Sequence, residues 1–228
     1  MAGPTNSLLA TVYADDEDIA VRVGADYANL CPHDQLLAQG TDGVFLNSNQ
    51  WQLSSTSNNF ASQGVATGNV IRLTGPATLY KGLGNKYAVS AVSGNAVTLR
   101  NIGQLDGIGL PPGPLAGQAG VAFVIATLGP QLEDASYQLN TQYGIDPSFQ
   151  LTSPAQIYDL RQLNQATALT VVCRMLAVST RTKDGDFARK LDVFRNDLSR
   201  ALDILEVRWN QTKENPPPTT RFSMKWSR

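Results

Sequence analysis

The densest chemistry in the chain is a run of four consecutive carboxylates, Asp15, Asp16, Glu17 and Asp18, inside the stretch VYADDEDIAVRV at residues 12–23. Such a run can be a metal site, an acid–base cluster or the start of a helix. Consecutive side chains at a helix start point about 100° apart, so four neighbours converge on one ion only in an unusual loop. Capping needs fewer assumptions. Asp15 suits the N-cap, Asp18 stands at the third helical position, and Asp16 and Glu17 fall in the first turn, where the helix dipole favours negative charge by about 0.3–1 kcal/mol each. Neutralising Asp15 and Asp18 together is then expected to cost about 1 kcal/mol. The same four acids also give the front of the chain a negative face for a basic partner.

Other chemistry is sparse. GLGNKY at 82–87 has glycines and a lysine but lacks the phosphate-loop spacing, and KDGDF at 183–187 has no glutamate where a calcium loop needs one. The single histidine, His33, excludes schemes that need two imidazoles. Cys31 and Cys173 have no Cys or His at motif spacing, so both are expected as packed thiols. No catalytic residue, metal ligand or cofactor site is assigned, and the chain is not expected to be an enzyme.

A chain of 228 residues, 42% hydrophobic and 16% charged, can bury a substantial core. No run approaches the roughly 20 apolar residues of a membrane span, and the first residues lack the pattern of a signal peptide, so synthesis in a cytoplasm and no membrane association are expected. The net charge of −1 hides a gradient: residues 1–50 hold seven acids and one base, while residues 181–228 hold eleven bases and seven acids. Opposite signs at the two ends suit an interaction surface. The bases are not gathered into the aromatic-interleaved patch of a nucleic-acid reader.

These features must be positioned by a few elements. Ile19, Val23, Tyr27 and Leu30 recur at helical spacing and predict a helix over 15–31, ended by Pro32, with Gly40 and Asp42-Gly43 marking turns beyond it. From Trp51 glycine is dense and charge sparse. NVIRL (69–73), KYAVSAV (86–92), AVTLR (96–100) and GVAFVIAT (120–127) predict strands, which suggests a small barrel or sandwich, and the Gly- and Pro-rich loop at 103–120 is expected to be an exposed connection.

Leu128, Leu132, Ala135, Leu139 and Tyr143 then form a helical stripe, begun by a cap at Thr127 or Gly129 and stopped by Gly144. SPAQ at 153–156 predicts a capping box from Ser153 to Gln156, opening a helix that runs to about Val178. Asp186 is expected to cap a last helix with the stripe Phe187, Leu191, Phe194, Leu198, Leu202, Leu205 and Trp209, its other face alternating in charge. After Asn215 three prolines and the alternation of Arg221, Phe222, Met224, Lys225, Trp226 and Arg228 predict an extended arm that lies against a neighbouring subunit or the chain's own body.

The resulting fold class is α+β: a helical bundle of about four helices (1–50 and 127–215), an inserted small β-barrel or β-sandwich (51–126) and an extended C-terminal arm (216–228). In this order, YADDEDIAVRVGADYANLCP, the segment GVATGNVIRLTG with KYAVSAVSGNAVTLR, TLGPQLEDASYQLNTQYGID and GDFARKLDVFRNDLSRALDIL resemble the head-to-tail connector, or adaptor, proteins of tailed bacteriophages. The resemblance covers most of the chain. It implies a structural virion protein of the neck, without a chemical step, in a homo-oligomeric ring, commonly dodecameric. The ring joins the portal protein to tail or neck proteins, and DNA passes through it without sequence-specific binding. Helix 186–210 would then face neighbouring copies and residues 216–228 would reach the portal or an adjacent subunit. The alternatives are another phage tail or baseplate structural protein, or a β-barrel binding module.

Overall fold

The computed structural model describes residues 11–32, 34–79, 85–103, 114–146, 153–157, 159–179 and 185–207. Helices α1 (Asp16–Val23) and α2 (Tyr27–Leu30) precede strands β1 (Leu36–Phe45), β2 (Gln52–Ser54), β3 (Val70–Gly75), β4 (Asn85–Ser93), β5 (Ala96–Asn101) and β6 (Val121–Ala126). Helices α3 (Gly129–Tyr143), α4 (Arg161–Ser179) and α5 (Gly185–Ile204) follow. The class is α+β. The chain divides into two compact units, one being Asp15–Gly129 and the other combining the chain before Asp15 with the chain from Pro130.

The first unit is built on a closed antiparallel barrel in the order β1-β2-β5-β4-β3-β6. Alternation drives it: Val121, Phe123 and Ile125 of β6 are all buried at 1% exposure or less, with the residues between them partly exposed. Phe45, Leu53, Ile71, Leu73, Val89 and Val97 complete the interior. Phe60, from the loop after β2, adds a ring 5.6 Å from that of Phe123. A barrel of this strand number is filled by its own side chains. The β4–β5 hairpin turns on Gly94 and Asn95, with Ser93 opposite Ala96 and Gly94 at φ 54°, the place a tight hairpin turn gives to glycine.

Several expectations are corrected. The segment read as turns around Gly40 and Asp42-Gly43 is β1, a ten-residue strand, so the β region begins at Leu36 and not at Trp51. Its glycines serve close approach instead: a Cβ on Gly40 would lie 2.9 Å from the Phe123 ring, and one on Gly43 would lie 2.8 Å from the Val121 carbonyl oxygen. Residues 15–50 accordingly group with the barrel and not with the helical domain expected for 1–50. The helix expected over 15–31 is interrupted, because Gly24 takes φ 52° and a 3-10 turn at Gly24–Asp26 separates α1 from α2.

In the second unit Tyr13, Leu139, Ile145, Ile157, Leu163 and Ala166 form one apolar core, with Tyr143, Leu202, Leu205 and Val207 packed against it. α3 stops as expected: Gly144 has φ 66°, and the Ile145 N–H donates back to Asn140 O at 2.9 Å. Leu128, placed on the α3 stripe by the sequence, is buried ahead of the helix. SPAQ makes only a 3-10 turn at Pro154–Gln156 without a side-chain cap at Ser153, and α4 begins at Arg161, where the Asp159 carboxylate accepts the Arg161 N–H at 2.9 Å. α5 packs on α4 and starts at Gly185, so Asp186 lies in its first turn instead of capping it. Among the described residues of the helix only Leu191 and Ala201 are buried, while Phe187, Phe194, Leu198 and Leu202 are half-buried.

Candidate functional site

The acid run divides into two pairs with different work. Asp15 is the N-cap as expected, and Asp18 answers it to close a capping box: Asp15 Oδ1 accepts the Asp18 N–H at 3.0 Å and Asp18 Oδ2 accepts the Asp15 N–H at 3.0 Å. This satisfies two amides that the start of α1 would otherwise leave orphaned. Asp16 and Glu17 do something the sequence did not suggest. They are buried, at 1% and 7% exposure, so they do not belong to an outward negative face.

Asp16 Oδ1 accepts the Leu128 N–H at 2.7 Å and Oδ2 accepts the Asn69 amide at 2.8 Å. The Thr127 and Tyr27 hydroxyls add to the polar surroundings that favour its charged form. Burial pushes its pKa up, while these polar groups, the Leu128 N–H first among them, pull it back. Glu17 pairs with the Arg100 guanidinium of β5 through Oε2 and accepts the Gly103 N–H at 3.0 Å through Oε1. Its own N–H donates to Gly68 O at 2.9 Å. At the far end of α1, Lys86 of β4 donates to Gly24 O at 2.6 Å, which puts a cation on the carbonyl end of the helix. Both ends of α1 are therefore fastened to barrel residues, which is the physical reason it groups with the barrel.

Asp15 is half-buried, and its Oδ2 presses on Gly68. Desolvation raises its pKa from 3.8 to about 6, opposed by the Asp18 N–H and reinforced by the charges of Asp18, Glu17 and Asp16. A carboxyl raised on folding holds its proton more tightly in the folded chain. Its stabilising contribution is whole below about pH 4 and is lost as pH rises through 6. Asp15→Asn keeps a side-chain oxygen for the Asp18 N–H and removes this titration. The variant is expected to gain on wild type by about 1 kcal/mol between pH 4 and 7, after allowance for solvent screening, measured as the difference in urea midpoints across that range.

A second polar node was not read from the sequence. Asp42 of β1 accepts the Thr56 and Ser57 N–H groups at 2.8 and 2.9 Å and the Ser55 and Thr56 hydroxyls at 3.0 and 2.9 Å. Desolvation opposes ionisation there, but the donors led by the Ser57 N–H outweigh it and hold the carboxyl well below the usual range. Asn58 closes the node through its amide on Gln39 O at 3.2 Å. The run SSTSNN after β2, rich in residues that bond to nearby backbone, is the signal that could have marked it.

Both carboxylate groups thus accept hydrogen bonds from their own unit and organise backbone. Among the described residues no three His, Cys, Asp or Glu side chains are placed to hold a metal ion, and no helix is long and apolar enough to cross a membrane. Cys31 and Cys173 are free thiols, each raised to about 11 by burial. The remaining candidates Arg221, Phe222, Met224, Lys225, Trp226 and Arg228 lie outside the described residues, as do His33, Trp209 and residues 104–113 of the loop expected to be exposed. No protein-family model matches this chain, nor does any curated protein or solved structure.

Proposed function

We propose that this chain is a structural adaptor of a tailed-bacteriophage neck, one member of a ring that joins the portal to the tail and lets DNA pass, without a chemical step of its own. The sequence resemblance supplies the family. The observation that carries the reading is α5, a 20-residue helix whose apolar stripe is only partly covered within its own unit and whose exposed residues include Val193 and Ile204. A helix of that kind suits a protein that completes its packing against other subunits. The carboxylates of α1 and β1 serve the internal order of the barrel unit, as expected of a part selected for shape.

The reading is tested by mass measurement in solution and negative-stain imaging of the purified chain with and without a portal ring. A ring formed on or by the portal is the expected result. A chain that never binds portal and never forms a ring overturns the reading. Deleting residues 216–228 is expected to weaken that assembly and leave the melting transition in place; loss of the transition instead would assign those residues to the chain's own core.

A further inference from the structure

We infer that the outward face of α5 is a two-fold docking surface for a second copy of this chain. Arg189, Asp192, Asn196, Arg200 and Asp203 follow one another along the helix at intervals of three, four, four and three. On an α-helix they form one stripe within about 40° of Asn196. All five are exposed. Leu191 and Ala201, the buried residues of the helix, sit about 140° to either side of Asn196, so the stripe points away from the core.

The order of charges commits this face to its own copy. Read forward, the stripe is base, acid, amide, base, acid; read backward, it is acid, base, amide, acid, base. Two copies laid antiparallel about Asn196 therefore place Arg189 opposite Asp203 of the second copy and Asp192 opposite Arg200 of the second copy, each pair occurring twice. Asn196 meets its own counterpart on the axis, where a side-chain amide, carrying both donors and an acceptor, is self-complementary. Parallel alignment in register would set like on like. A two-fold interface requires this kind of self-complementary patch.

Among the described residues Asp192 lies 4.0 Å from Arg195, both side chains exposed. Val193 and Ile204, 58% and 66% exposed, flank the same edge of the stripe, and the two-fold gathers both copies of each along that edge. A helix of this length is about 30 Å long, and such a contact buries on the order of 1,000 Å² in total, below the standard size for a specific interface. The pair is therefore weak, reversible and salt-dependent. A closed ring uses one patch against a different one; the two-fold pair is a form of the free chain and goes beyond the adaptor reading.

Sedimentation equilibrium of the full chain, without portal, at low and high salt tests it. Wild type is expected to dimerise at low salt and dissociate as salt rises. The pair Arg189→Asp with Arg200→Asp makes the stripe all acidic, and Asp192→Arg with Asp203→Arg makes it all basic. Each variant alone is expected to lose association by on the order of 100-fold, with an unchanged melting transition. An equimolar mixture of the two is expected to recover a mixed dimer, since every opposed pair is again of opposite sign. Asn196→Asp, a single exposed change that sets two carboxylates on the axis, is expected to weaken the dimer as well. A wild type that stays monomeric at low salt, variants that associate as wild type does, or a mixture of folded variants that forms no mixed dimer would each overturn the proposal.

Discussion

Replacing Asp16 by alanine is expected to lower stability by about 4 kcal/mol. The carboxylate is 1% exposed and serves the Leu128 N–H at 2.7 Å and the Asn69 amide at 2.8 Å. Each buried donor left without an acceptor costs about 1–3 kcal/mol, and at least two are orphaned here. Urea unfolding at pH 7 measures the loss, and hydrogen exchange should show the Leu128 amide losing its protection before the barrel amides do. Asp16→Asn separates the contributions, because its amide can accept only through its one oxygen and sets a second donor against Leu128 or Asn69; a partial recovery is expected. A cost for Asp16→Ala below about 1 kcal/mol, the scale of an ordinary cap, would mean that the residue acts only through the helix dipole.

Gly68→Ala is expected to cost about 3 kcal/mol or more, with Gly64→Ala as its internal control. Both glycines have positive φ, 89° and 80°, where an L side chain is strained by about 1 kcal/mol. They differ in what a Cβ would meet. At Gly64 there is nothing within 4 Å, whereas at Gly68 the new atom would stand 2.2 Å from Asp15 Oδ2 and 2.7 Å from its Cγ. The backbone has little freedom to yield, since the Gly68 N–H donates to Val89 O and its carbonyl accepts the Glu17 N–H, both at 2.9 Å. Relief therefore means expelling the Asp15 side chain and breaking the capping box. Comparable melting temperatures for the two variants would show that Asp15 moves aside at little cost.

What could be read from the chain was what local physics decides. The N-cap at Asp15, the stop at Gly144, the strands KYAVSAV and AVTLR and the long period of α5 each depend on residues within a few positions of one another. Misreadings arise where a distant partner decides. Gly40 and Gly43 resemble turn residues until Phe123, some eighty positions on, is seen to cover them. Asp16 and Glu17 look like exposed first-turn acids; Leu128, Asn69, Arg100 and Gly103 bury them, and nothing near residue 16 announces those contacts. Ser153 and Gln156 have the right spacing for a cap, but Asp159 stands closer to where the next helical run begins. The α5 stripe was legible as a stripe, and only the burial along it shows how little its own unit covers.

The bond from Asp16 to Leu128 has a consequence for how such a chain is put together. The barrel unit begins at Asp15 and ends at Gly129, and this contact joins residues one position in from each end. A unit whose entrance and exit meet is a cassette. It can be spliced into a helical chain, or cut out of it, with only a short bridge left to span the gap, and the carboxylate that fastens its mouth travels with it.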